Sequence, residues 1–143
     1  MARQRREEKV HRSFRLASSL VEQLARQAEQ TGASASALAE RYIEEGLRMD
    51  EHPLIVFRDG AAGRRAAISG TRLDVWQLIE TLRACDNDPA KAAAYLEIPE
   101  AWVRVAARYY GAYQDEVDAF AERAHALAAR EEELWRGQQA VLA

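Results

Sequence analysis

The sequence predicts a mainly α protein. One short strand and two helices come first, then a small domain of a hairpin and three helices, then a C-terminal helix. Three observations carry this. Val10 to Leu16 alternate between apolar and polar residues, the period of a strand. Most of the remaining chain repeats its apolar residues at helical spacing. A second stretch, "LIVFRDGAAGRRAAI", has the strand–turn–strand composition of a hairpin. With 143 residues, the chain is long enough for one ordinary domain or two small ones.

Residues 1–9 are charged and expected to form a disordered basic arm. Residues 10–16 are the strand. Ser18 or Ser19 can cap a helix carrying Leu20, Val21, Leu24 and Ala28 on one face, and Gly32 stops it. Ser34 is the expected cap of a second helix over 35–48, with Leu38, Tyr42, Ile43 and Leu47 apolar. These elements define a unit over 10–50. His52-Pro53 marks a break, and a second domain spans 53–113. Its hairpin pairs Leu54–Arg58 with Arg65–Ile68 across "DGAAG". Asp74 can cap a helix over 75–84. Asp88 caps a short one with Pro89 at its first position, and a third helix runs from near Pro99. Residues 114–143 are an acidic helix, regular to about Trp135, and a tail.

The net charge of −3 argues against binding nucleic acid by bulk charge, but the ends differ. Residues 1–20 hold six basic and two acidic side chains, net +4; residues 114–143 hold seven acidic and three basic, net −4. The single cysteine, Cys85, excludes a disulfide framework within one chain and fits a reducing compartment. No secretory h-region and no membrane-length apolar run is present, so a cytoplasmic protein is expected, with no membrane partner.

Forty residues cannot bury a useful core alone, and one strand leaves its backbone groups unpaired. The economical solution is a twofold homodimer in which strand 10–16 pairs with its copy. Phe14 and Leu16 then point inward with Leu24, Leu38, Tyr42 and Ile43 of the helices, while His11, Ser13 and Arg15 point outward by period two. A two-stranded ribbon fits the DNA major groove. The stretch "RSFRLASSLVEQLARQAEQTGASASALAERYIEEGL" resembles the ribbon-helix-helix family of bacterial repressors and antitoxins in its alternating strand, Ser-rich cap, interhelix Gly and "GxS" opening. The resemblance implies that His11, Ser13 and Arg15 face base edges of double-stranded operator DNA. It implies that Ser34, Ala35 and Ser36, at a helix N-terminus, anchor a phosphate. Arg3, Arg5, Arg6 and Lys9 would add counterion-releasing contacts. Arg12 stands where this family usually has an apolar residue, so the end of the ribbon is expected to fray.

Residues 53–113, with "SGTRLDV" and the helix after it, resemble a small helix-turn-helix-like domain of unassigned function found in bacterial antitoxins. That resemblance implies a toxin partner, commonly a ribonuclease of the PIN type, and assemblies beyond the dimer when the toxin binds. Trp102, Tyr109, Tyr110 and Tyr113 are assigned to protein contact or core rather than to DNA. Arg64 and Arg65 read as a solvated turn or as a basic wing on phosphate. The last helix, with Phe120 and Leu127 on a narrow apolar stripe, packs on its own domain or lies in a partner's groove.

Catalysis is not expected. His11, His52 and His125 have no ligand spacing, and Cys85 has no His near it. "DGAAGRR" lacks the Lys-Ser/Thr ending of a phosphate loop. No cofactor or metal is expected. Two functional readings remain: an antitoxin that represses its own operon and neutralises a toxin through its C-terminal part, or a stand-alone regulator or dimeric scaffold without a toxin.

Overall fold

The computed structural model describes residues 7–143. It is mainly helical, with six helices and one two-stranded antiparallel sheet among the described residues. The chain divides into two compact units, Met1–Ile43 and Glu44–Ala143, so the boundary falls inside a helix rather than at His52-Pro53.

In the first unit, α1 spans Ser18–Thr31. It ends where Gly32 turns left-handed, at positive φ, a conformation glycine adopts without a Cβ penalty. Neither Ser18 nor Ser19 caps it. Ser18 is already the first helical residue, so Ala17 holds the cap position, without a side-chain hydrogen bond. The second helix, α2, spans Ala35–Glu51. The Ala37 amide donates to Ser34 Oγ at 3.1 Å, the expected cap. Residues 7–17 carry no regular secondary structure, so the strand expected over 10–16 is not formed in the single chain. A strand is made by ladder hydrogen bonds to a neighbour. No described segment of this chain pairs with these residues.

In the second unit, β1 (Ile55–Arg58) pairs with β2 (Arg65–Ile68) in the register Ile55↔Ile68 to Arg58↔Arg65. β1 starts one residue later than expected because Leu54 has a positive φ, outside strand geometry. α3 (Val75–Ala84) opens at Asp74. The Asp74 backbone N–H donates to Gln77 Oε1 at 3.0 Å, half of a capping box. α4 (Pro89–Leu96) is capped by Asp88, whose Oδ1 accepts from the amides of Ala90 and Lys91. α5 covers Glu100–Ala112. The core gathers Ile55 and Ile68 of the sheet, Val75, Leu78 and Ile79 of α3, and Val103, Ala106 and Tyr109 of α5.

The last helix, α6, is longer than expected, Gln114–Leu142. Gly137 is the only breaker between Trp135 and its end. One glycine in a helix interior costs only about 1 kcal/mol. The first turns of α6 bury Val117 and Phe120, so this half belongs to the second unit rather than to a separate tail.

Candidate nucleic-acid and pairing surface

Residues 7–20 are exposed throughout. Arg15, in the middle of this stretch, makes no hydrogen bond or ion pair among the described residues. Ser13 Oγ lies 3.5 Å from His11 Nε2. Lys9 Nζ donates to Glu40 at 3.0 Å between two exposed side chains. Such a pair is weak enough for a phosphate to displace. Ser34, Ala35 and Ser36 are exposed at the start of α2. Arg3, Arg5 and Arg6 lie outside the described residues.

The apolar residues expected to pair are distributed unevenly. Phe14 is 71% exposed, and Leu16, Tyr42 and Ile43 are also exposed. Leu24 is half-buried, and Leu38 is fully buried, so Leu38 is not available to a partner.

The polarity of α2 explains this. Leu38, Glu45 and His52 follow one another at seven-residue steps along one face of the helix and its C-terminal extension, and all three are buried. Ile43 and Leu47 lie on the other side and are exposed, and Tyr42, four residues after Leu38 and on its side of the helix, is exposed as well. Within the second unit, α2 thus buries the polar Glu45, His52 and most of Arg48 while the apolar Leu47 is left to solvent. Leu20 and Val21 of α1, each about half exposed, add to the uncovered apolar surface of the first unit.

The buried polar groups of α2's last turns are held within the second unit. Glu45 accepts from Arg64 Nε, with Oε2 at 2.8 Å, and Arg64 Nη1 reaches Asp59 at 3.1 Å. The bond to Glu45 and its charge hold the Arg64 pKa above the ordinary guanidinium value despite partial burial. Arg48 donates to Tyr109 Oη at 2.9 Å and to Glu116 at 2.7 Å, also pairs with Glu44, and lies 3.9 Å from the Tyr113 ring centroid. Burial works to lower the Arg48 pKa, but the bonds and charges of Glu116 and Tyr109 outweigh it and raise it. Burial and the Glu116 charge push the Tyr109 phenol up, so it stays protonated. His52 packs edge-on against Tyr109 and Tyr113, and neither ring nitrogen has a hydrogen-bond partner among the described residues.

Arg65 is likewise committed. Its Nε donates to the buried Asp74 at 2.9 Å, and Trp76 Nε1 donates to the same carboxylate oxygen at 3.2 Å. A Cβ on Gly60 would overlap Arg65 Nη1, so the hairpin turn uses glycine to let the anchored guanidinium pass. Arg64 and Arg65 are therefore neither a solvated turn nor a basic wing: both are held by carboxylates of their own unit. Periodicity missed these clusters, though the spacing of Glu45, Arg48 and His52 put them on one face.

Among the residues assigned to partner contact, Tyr109 and Phe120 are buried in the unit's own interior and present no surface. Trp102, Tyr110, Tyr113 and Leu127 are half-buried. Tyr110 accepts from Arg83 at 2.5 Å and donates to Asp118 at 2.9 Å. Burial, followed by the Asp118 bond, raises its pKa. Among the described residues no His, Cys, Asp and Glu group could hold a metal ion, and no helix is long and apolar enough to cross a membrane.

No family model, curated protein or solved structure matches the chain.

Proposed function

We propose that this protein is a DNA-binding antitoxin whose first unit pairs with its copy as a ribbon-helix-helix dimer on operator DNA. The observation that carries the pairing is the inverted polarity of α2 together with the arm. Phe14, Leu16, Tyr42 and Ile43 are large and apolar and stand in water in the single chain, beside two helices joined at Gly32. A second copy of residues 10–16 would supply the ladder this stretch lacks and cover that surface in one step. The pairing puts Arg15 on the outer face twice, within reach of guanine edges, and leaves the Ser34–Ser36 amides to a phosphate. The second unit, with its half-buried aromatics and the acidic α6, is the part offered to a ribonuclease-type toxin; the support for this half is the sequence resemblance.

The test is operator selection with the full chain, followed by titration of the selected DNA. Arg15→Ala should weaken the selected site about 5- to 150-fold, the equivalent of about 1–3 kcal/mol, while non-specific binding changes little. Unchanged base preference in Arg15→Ala would refute the ribbon assignment. Copurification with the product of the adjacent gene tests the toxin. A dimer that selects no DNA and captures no such product would favour the scaffold reading.

A further inference from the structure

Among the described residues, no other element covers the distal half of α6. Every residue from Ala128 to Ala143 is exposed. Leu134, Trp135, Val141 and Leu142 are 59, 59, 85 and 70% exposed. These positions fall in order. Leu127, Leu134 and Val141 recur at seven-residue steps along one line of the helix, and Ala128, Trp135 and Leu142 along the line beside it. Glu131 and Gln138 lie between the two lines. Solvated helices shorter than about 12–15 residues are marginal in water, and Gly137 weakens this one further. Three or more turns of bare helix bearing an apolar stripe call for a cover.

The stripe matches its own reverse. Turned antiparallel about the midpoint between Leu134 and Trp135, Leu127 comes level with Leu142 of a second copy, Ala128 with Val141, and Leu134 with Trp135. Glu131 comes level with Gln138, whose amide can donate to the carboxylate. Each apolar position meets an apolar one, and the acidic position meets a donor. A parallel pairing would instead set Glu131 against Glu131 within the stripe, two like charges opposed. We propose that residues 127–142 of α6 are an antiparallel self-pairing surface, and that its occupant is the same segment of a second copy. The interface is isologous, uses none of the residues of the first unit, and does not depend on the DNA reading.

Single cysteines in the full chain, on a Cys85→Ser background, test it by oxidation and non-reducing electrophoresis. Leu134→Cys should link to itself, because the twofold axis passes beside it. Glu131→Cys and Leu142→Cys should not, since their copies would stand about 10 and about 22 Å apart along the helix at about 1.5 Å per residue. Mixed Leu127→Cys and Leu142→Cys chains should link to each other. The absence of a link at position 134, or links at 131 and 142 as strong as at 134, would overturn the antiparallel pairing. So would a link at 134 that forms only when another protein is added. Adding Phe14→Asp separates the two surfaces: a link at 134 that survives it supports the proposal, and one that vanishes overturns it, because α6 then does not pair by itself. In sedimentation, Trp135→Glu should weaken this association roughly tenfold or more. An unchanged association constant would overturn the stripe as its seat.

Discussion

Replacing Arg48 by Met should destabilise the second unit by roughly 2–3 kcal/mol, the lower part of the range of about 2–5 kcal/mol that one charged hydrogen bond and one ring contact span together. The side chain is 13% exposed and joins α2 to Tyr109 of α5, Glu116 of α6 and the Tyr113 ring between them. A hydrogen bond to a charged group contributes about 1.5–3 kcal/mol, and a partly buried cation over an aromatic ring about 0.5–2 kcal/mol. Glu116 is 56% exposed, however, so its pairing is discounted toward the surface value of about 0.2–1 kcal/mol. Met keeps most of the aliphatic volume, which limits any cavity. Tyr109 Oη still donates to Glu116 at 3.3 Å, so no hydroxyl is orphaned. For a unit of this size the loss corresponds to a melting point lower by about 10–20 °C. Thermal unfolding followed by near-UV circular dichroism reads it directly. Glu116→Gln, altering a half-exposed partner, should cost no more than about 1 kcal/mol. The reasoning is refuted if Arg48→Met lies within about 0.5 kcal/mol of the parent, or if Glu116→Gln costs as much; the cluster would then be an ordinary solvated ion pair.

Phe14→Asp should leave a chain that folds normally in its second unit but sediments with a weakened N-terminal association, by roughly 100-fold or more, because each copy loses about 1.5–3 kcal/mol of burial; an unchanged association would place the dimer contact elsewhere. His52→Leu should be neutral or raise the melting point, since two buried ring nitrogens without partners cost roughly 1–3 kcal/mol each when desolvated. A fall of more than about 2 kcal/mol in denaturant titration would show that the imidazole bonds something essential. Tyr109 has a pKa raised in the folded state above its ordinary value of 10.0. Above that pH the unfolded chain releases its proton first, so stability present below it is lost as pH rises. Tyr109→Phe should flatten this alkaline loss, and a variant as alkali-sensitive as the parent would place the effect elsewhere.

Local punctuation is legible in the sequence wherever a single residue decides the backbone. Gly32 ends α1, Ser34 and Asp88 cap their helices, and Pro89 opens α4, because each acts through its own φ or its own side-chain oxygen. What is not legible depends on neighbours distant in sequence. Leu54 leaves β1 because its backbone is left-handed, which nothing in a leucine announces. Periodicity takes the apolar side of α2 as the inner one, whereas Glu45 is buried because Arg64, nineteen residues on, supplies its counter-charge. Arg64 and Arg65 look like a free basic pair for the same reason: the carboxylates that claim them lie on α2 and at the start of α3.

The inverted polarity of α2 is also the best guide to function. A lone exposed leucine is ordinary on a soluble protein and needs no explanation. Tyr42, Ile43 and Leu47 are different, because the same helix buries Glu45 and most of Arg48, desolvating charges that must then be paired. Were the apolar side of α2 meant to face water, a few polar substitutions there would remove the exposed surface without touching those ion pairs. Its presence, together with the exposed Phe14 and Leu16, is what a face reserved for a second copy would look like. On that reading the acidic net charge is no obstacle to DNA binding. The charge that matters is the local excess around Arg12 and Arg15, doubled by symmetry. Salt screens charges over about 10 Å, so a phosphate at the ribbon responds chiefly to the charges within that distance of it.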